Sequence, residues 1–143
     1  MKEAEREGEV DEFTLLDRAE SLRLLASVPV GRLIFTVNAL PTVRLMNFAL
    51  VDGLIVVRTA DDSTAARKVH DTVVAFEADE LESATCFGWS VTVIGRAALV
   101  ADPETAVRYR TVPLMAWAPG PRDTFLTITT ELAEGRRVGR ASA

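Results

Sequence analysis

Gly31–Thr59, GRLIFTVNALPTVRLMNFALVDGLIVVRT, holds three apolar, β-branched runs in succession: GRLIFTV, TVRLMNFALV and LIVVRT. Asp52-Gly53, between the second and third, is a strong hairpin signal, because a two-residue type I′ turn needs positive φ at both central positions. Asn38-Ala39-Leu40-Pro41 reads as a looser reversal, with Pro41 just ahead of its strand, where a missing N–H is tolerated. Polar groups break the second and third runs at Arg44, Asn47, Arg58 and Thr59. A meander carrying such groups among Val, Ile, Leu and Phe has the make-up of a cleft wall.

Outward from this meander the chain stays rich in strands. On the N-terminal side, residues 1–12 are polar and mostly acidic, and are expected to form a disordered tail. Asp17 caps a short helix, with Glu20 three positions on as in a capping box, and Leu22, Leu25 and Ala26 share its apolar face. On the C-terminal side, ADDSTAARKVHD is polar and helix-compatible, and TVVAFEAD is a strongly apolar strand. The acidic loop Asp79 to Thr85 leads to GWSVTVIGRAALVA, which alternates cleanly from Trp89 to Ile94. Gly95 breaks that alternation as a bulge or barrel bend would. Asp102-Pro103-Glu104 starts a helix to about Arg110, PLMAWAPGPRD is a loop, and TFLTITTEL is the last long strand. About six strands with short connections predict one small antiparallel β-barrel domain over 13–138, its ends covered by helices, with 139–143 as a tail.

Composition narrows the function. The 143 residues carry a net charge of -5, which argues against affinity for nucleic acid through the phosphate backbone. No apolar run approaches the roughly 20 residues that cross a bilayer, and MKEAEREGEVDEF lacks the apolar core of a signal peptide, so a cytoplasmic location and no membrane partner are expected. One histidine, His70, and one cysteine, Cys86, cannot make a zinc site of the usual kind or an internal disulfide. No Walker loop or GxGxxG occurs. Gly88-Trp89-Ser90-Val91-Thr92 lacks the second glycine of a serine-hydrolase elbow and continues into a strand, which sets Ser90 aside as a nucleophile.

Two constellations remain. Arg58-Thr59 at a strand end, then Ser63, Thr64, Arg67 and Lys68 on a short helix, offer hydroxyls and cations to an anion; an ordinary solvated helix has the same composition. Phe48, Trp89 and Trp117, with Asn47 as an amide that donates and accepts, suit either a core or a stacked ring.

VGRLIFTVNALPTVRLMNFALVDGLIVVRTA, VVAFEAD, GWSVTVIGRAALV and PLMAWAPGPRD together resemble the pyridoxamine 5′-phosphate oxidase-like superfamily, above all its small actinobacterial-type flavin-binding members. The order VGRL, N-F before a D-G turn, R-T, V-x-F-E-x-D, G-W-S-V-x-V-x-G and W-A-P-G carries the resemblance from about Leu15 to Val138. It implies an antiparallel split β-barrel, a homodimer, and FMN in two clefts at the subunit interface. Met46, Asn47 and Phe48 would line the flavin ring, Arg58, Thr59 and Ser63 would hold the phosphate, and Trp89 and Ser90 would lie near the interface and the cofactor. Relatives commonly have P-V-N-F where this chain has Leu45-Met46-Asn47-Phe48, and many have lysine at Thr64, which leaves that cation to Arg67 or Lys68. The implied activity is a flavin-dependent oxidoreductase acting on a small organic molecule. The alternatives are use of the deazaflavin F420, or non-catalytic binding of flavin or haem.

Overall fold

The computed structural model describes residues 11–59, 64–114 and 124–140. In chain order they form β1 (Asp11–Leu16), α1 (Arg18–Leu25), β2 (Val30–Val37), β3 (Leu40–Val51), β4 (Leu54–Thr59), α2 (Thr64–Val69), β5 (Thr72–Glu82), β6 (Phe87–Leu99), α3 (Pro103–Arg110), β7 (Thr124–Thr129) and β8 (Leu132–Arg140). The sheet order is β1-β8-β6-β5-β2-β3-β4-β7, and a further β6–β7 pairing closes six of these strands into an antiparallel barrel. β8 and β1 lie outboard, on the other half of β6.

Two tight turns build the meander. Asp52 and Gly53 have φ of 51° and 81° between the paired residues Val51 and Leu54. Asn38 and Ala39 take φ of 53° and 66° between the paired Val37 and Leu40, so this turn also spans two residues and not the looser four expected. Pro41 consequently lies within β3, opposite Thr36. The right-handed twist of the flanking strands selects positive φ here, and Asn38 is a residue type that tolerates it.

The helices follow their caps. The Asp17 carboxylate accepts the Glu20 N–H at 2.8 Å, whereas the Glu20 carboxylate turns to Arg23 and Arg137 instead of closing a capping box. α1 packs on β8 and β6, burying Ser21, Leu24 and Leu25. Asp102 caps α3, accepting from the Thr105 N–H at 3.2 Å and from its hydroxyl at 2.7 Å.

Gly95 marks the seam. β6 pairs with β8 up to Ile94 and with β7 from Ala97, while its register with β5 continues through Gly95 opposite Val74. A Cβ at Gly95 would overlap the Thr129 carbonyl, and the next N–H, of Arg96, donates to the Thr129 hydroxyl at 2.9 Å. The glycine thus serves a close strand approach at the bend of the barrel, without a bulge against β5.

Leu33, Phe35, Phe48, Val57, Phe76 and Val93 are among the side chains that fill the barrel, with the Phe48 and Phe76 rings edge-on at 4.8 Å. A second, smaller cluster of Val56, Tyr109 and Phe125 lies where α3 covers the barrel wall. β1 and β8 were not among the expected strands, and their pairing carries the ordered sheet to Asp11 and Arg140, beyond 13–138.

Candidate functional site on the outer barrel wall

Side chains alternate between the two faces of each strand, so the barrel core assigns every residue of β2–β6 to the inside or the outside. Phe48 is 3% exposed and Trp89 is 5% exposed, both within the core cluster, and half-buried Met46 packs against it. Thr59, two residues beyond buried Val57, is buried as well. Asn47, Arg58 and Ser90 fall on the opposite, outer face. The expected site residues therefore separate: Met46, Phe48, Thr59 and Trp89 support the wall from within, and Asn47, Arg58 and Ser90 stand on its outer surface.

Asn47 pairs with Val30 across β2–β3 and is half-buried on the outer face, and its Nδ2 is buried without a hydrogen-bond acceptor among the described residues. On β4, the Arg58 guanidinium lies 5.4 Å from the centroid of the Phe125 ring, which Tyr109 flanks at 5.8 Å. Arg67 and Lys68 are exposed on α2, whose Ala66 and Val69 are buried at one end of the barrel. Ser63 and Trp117 lie outside the described residues, as does most of the PLMAWAPGPRD loop. Exposed His70 accepts the Leu99 N–H on Nδ1 at 3.0 Å. Trp89 also borders a hollow of about 480 Å³ with Glu80, Phe87 and Arg137.

Further along the wall stands a charged cluster that the residue-by-residue reading missed. Arg32 on β2 donates to Glu77 at 2.9 Å and to Asp79 at 3.3 Å, both on β5. Burial, then the hydrogen bond and charge of neighbouring Asp79, push the Glu77 carboxyl up to about 7 against the pull of Arg32. The signal was present in V-x-F-E-x-D, since acids two apart on a strand share a face. Beside the cluster, the register aligns Val43, Ile34, Ala75, Ile94 and Leu132 in one outward apolar row across five strands. A hollow of about 430 Å³ lies at its β6–β8 end, against Ile94, Leu132 and Ala133. Among the described residues, no cluster of His, Cys, Asp and Glu is arranged to hold a metal, and no helix is long and apolar enough to cross a membrane.

A closed six-strand antiparallel barrel with short helices at its ends, and polar groups on the outer wall, defines the class of pyridoxamine 5′-phosphate oxidase-like split barrels. The family model described as pyridoxamine 5′-phosphate oxidase matches residues 17–137, and the chain belongs to that family. It is 44% identical over 132 residues to the uncharacterised protein Rv0080 of Mycobacterium tuberculosis, covering 89% of this chain and 86% of that protein. Among solved structures, it is similar to the FAD-binding protein of Mycobacterium smegmatis, with 28% identity, a TM-score of 0.75, and 88% and 98% of the two chains covered. A conserved protein of unknown function from Corynebacterium diphtheriae matches at 30% identity and a TM-score of 0.73, covering 87% and 96%. The resemblance carried by N-F, R-T and G-W-S is borne out at the level of family and fold.

Proposed function

We propose that this chain is a homodimeric, flavin-binding oxidoreductase that holds FMN on the outer wall and passes electrons between it and a small organic molecule. The observation that carries this reading is the Asn47 amide. A buried donor without an acceptor costs about 1–3 kcal/mol, and a carbonyl or ring nitrogen at the polar edge of a flavin would satisfy it. The similarity to the FAD-binding protein of Mycobacterium smegmatis, over 88% of this chain, supports a flavin.

When bound, the flavin supplies the hydride chemistry, and the chain supplies position and electrostatics. Arg58 on the wall, with Arg67 and Lys68 beyond it, favours the phosphate end by charge-assisted hydrogen bonds. Ser63 belongs to the same strand-to-helix connection. Thr59, buried below the wall, contributes through its backbone. Met46, Phe48 and Trp89 hold β3 and β6 rigidly from the core, so that Asn47 and Ser90 stand at fixed positions and the wall stays dry behind the ring. Hydride transfer needs that positioning and exclusion of water more than a side-chain acid.

The test is titration of the apo chain with FMN, FAD and F420, followed by anaerobic reduction and reoxidation with candidate acceptors. FMN is expected to bind most tightly, with reoxidation by an organic acceptor faster than by oxygen. Absence of binding to any of the three below about 100 μM, equivalent to roughly 5.5 kcal/mol, removes the flavin assignment. Binding without an acceptor that outpaces oxygen leaves a flavin carrier instead of an enzyme.

A further inference from the structure

Arg58 differs from the other cations of the proposed site in what lies beneath it. On β4 it pairs with Phe125 on β7, so the two side chains leave the sheet side by side on the outer face. The Arg58 guanidinium sits over the Phe125 ring, 5.4 Å from its centroid, and that residue is only 1% exposed. Buried Tyr109 on α3 packs against the same ring at 5.8 Å, and the Arg108 guanidinium lies 5.4 Å from the Tyr109 centroid. Two buried rings thus connect Arg58 on β4 to α3. Exposed Arg67 and Lys68 on α2 have no ring beneath them among the described residues.

Such a contact suits an anion-binding arginine. The negative face of a π-system attracts the cation without engaging an N–H donor. A carboxylate in the same place would hold the side chain through those donors and would repel a phosphate. The guanidinium donors lie in its own plane, in a fixed fork that matches two phosphate oxygens. Burial strengthens the restraint, because Arg58 swinging into water would uncover part of the ring and its own apolar stem.

We infer that Phe125, backed by Tyr109 of α3, is a positioning residue for Arg58 and strengthens the preference of this chain for phosphorylated over unphosphorylated flavin. The inference rests on the flavin reading above, with Arg58 as a ligand of the phosphate. Phe125 and Tyr109 are buried, and they act by holding the guanidinium at the wall before an anion arrives. The side chain then loses less freedom on binding, which is the gain that preorganisation brings. Arg67 and Lys68, exposed on α2, lack that restraint, and each contributes less than Arg58. The expected size is that of one cation–ring contact, about three- to tenfold in affinity.

Parallel titration of FMN and riboflavin into the full-length chain and its variants tests this, with circular dichroism to confirm the fold. Phe125→Leu, which keeps an apolar side chain but no ring, should raise the FMN dissociation constant about three- to tenfold and leave riboflavin unchanged. Replacement of Phe125 by pentafluorophenylalanine keeps the shape of the ring and reverses the potential of its face. It should give the same split between the two ligands, and it carries the test if Phe125→Leu does not fold. In an Arg58→Ala background neither replacement should cost anything further, because the residue they act through is gone. Equal losses for FMN and riboflavin, a wild-type FMN constant in the fluorinated chain, or a full cost retained in the Arg58→Ala background overturns this inference and leaves flavin binding standing. A wild-type chain that binds neither ligand overturns the flavin reading and this inference together.

Discussion

Arg58 shows how much one residue can be asked to do. Its guanidinium rests on the Phe125 ring, a contact that holds a long side chain against the wall and lowers the entropy lost when it meets an anion. Arg58→Ala is expected to raise the dissociation constant for FMN by about ten- to a hundredfold, the value of one charge-assisted hydrogen bond. Riboflavin, which lacks the phosphate, should lose little. Equal losses for both ligands would assign Arg58 to the fold. At this scale the sequence was only half readable. In Leu45-Met46-Asn47-Phe48, three apolar residues surround one amide, so alternation alone does not say which side faces the core. Contacts distant in sequence, such as that of Phe48 with Phe76, turn Phe48 inward and Asn47 outward.

Elements whose cause is local were easier to read. Asp17 and Asp102 cap the helices they precede, and Asp52-Gly53 turns between the strands it separates, because each signal acts within a few residues. β8 was missed for the opposite reason. LAEGRRVGR alternates poorly, and two of its inward places are glycines that accommodate neighbours: a Cβ at Gly135 would overlap Ser21, and one at Gly139 would press on the Phe87 ring. Its partner strands, β6 and β1, are both far away in the chain. Gly95 provides the test at this level. Gly95→Ala places a methyl against the Thr129 carbonyl, and overpacking of this kind costs about 1–3 kcal/mol. Gly53→Ala meets nothing within 4 Å and carries only the strain of its positive φ, about 1 kcal/mol. Urea unfolding should rank Gly95→Ala as the more destabilising; the reverse order would mean that the β6–β7 seam yields easily.

For the whole molecule, the antiparallel barrel was the part the residues announced, through turn signals at short intervals and without the strand–helix–strand alternation that builds a parallel sheet. The outer wall was not announced, because its rows exist only once five strands are in register. The pairing of the first strand with the last has a consequence of its own. Asp11 stands opposite Arg140, and residues facing each other in an antiparallel pair have Cα atoms about 5 Å apart. The order in which the polypeptide is threaded is thus nearly independent of the shape it attains. A chain whose first and last strands are joined by a short glycine-rich linker, and which is reopened at Asp52-Gly53, should fold to the same far-ultraviolet spectrum, with its unfolding midpoint lowered modestly by the lost turn. A permuted chain that failed to fold would show that the Asp52-Gly53 hairpin must form early, before the outboard strands can find β6.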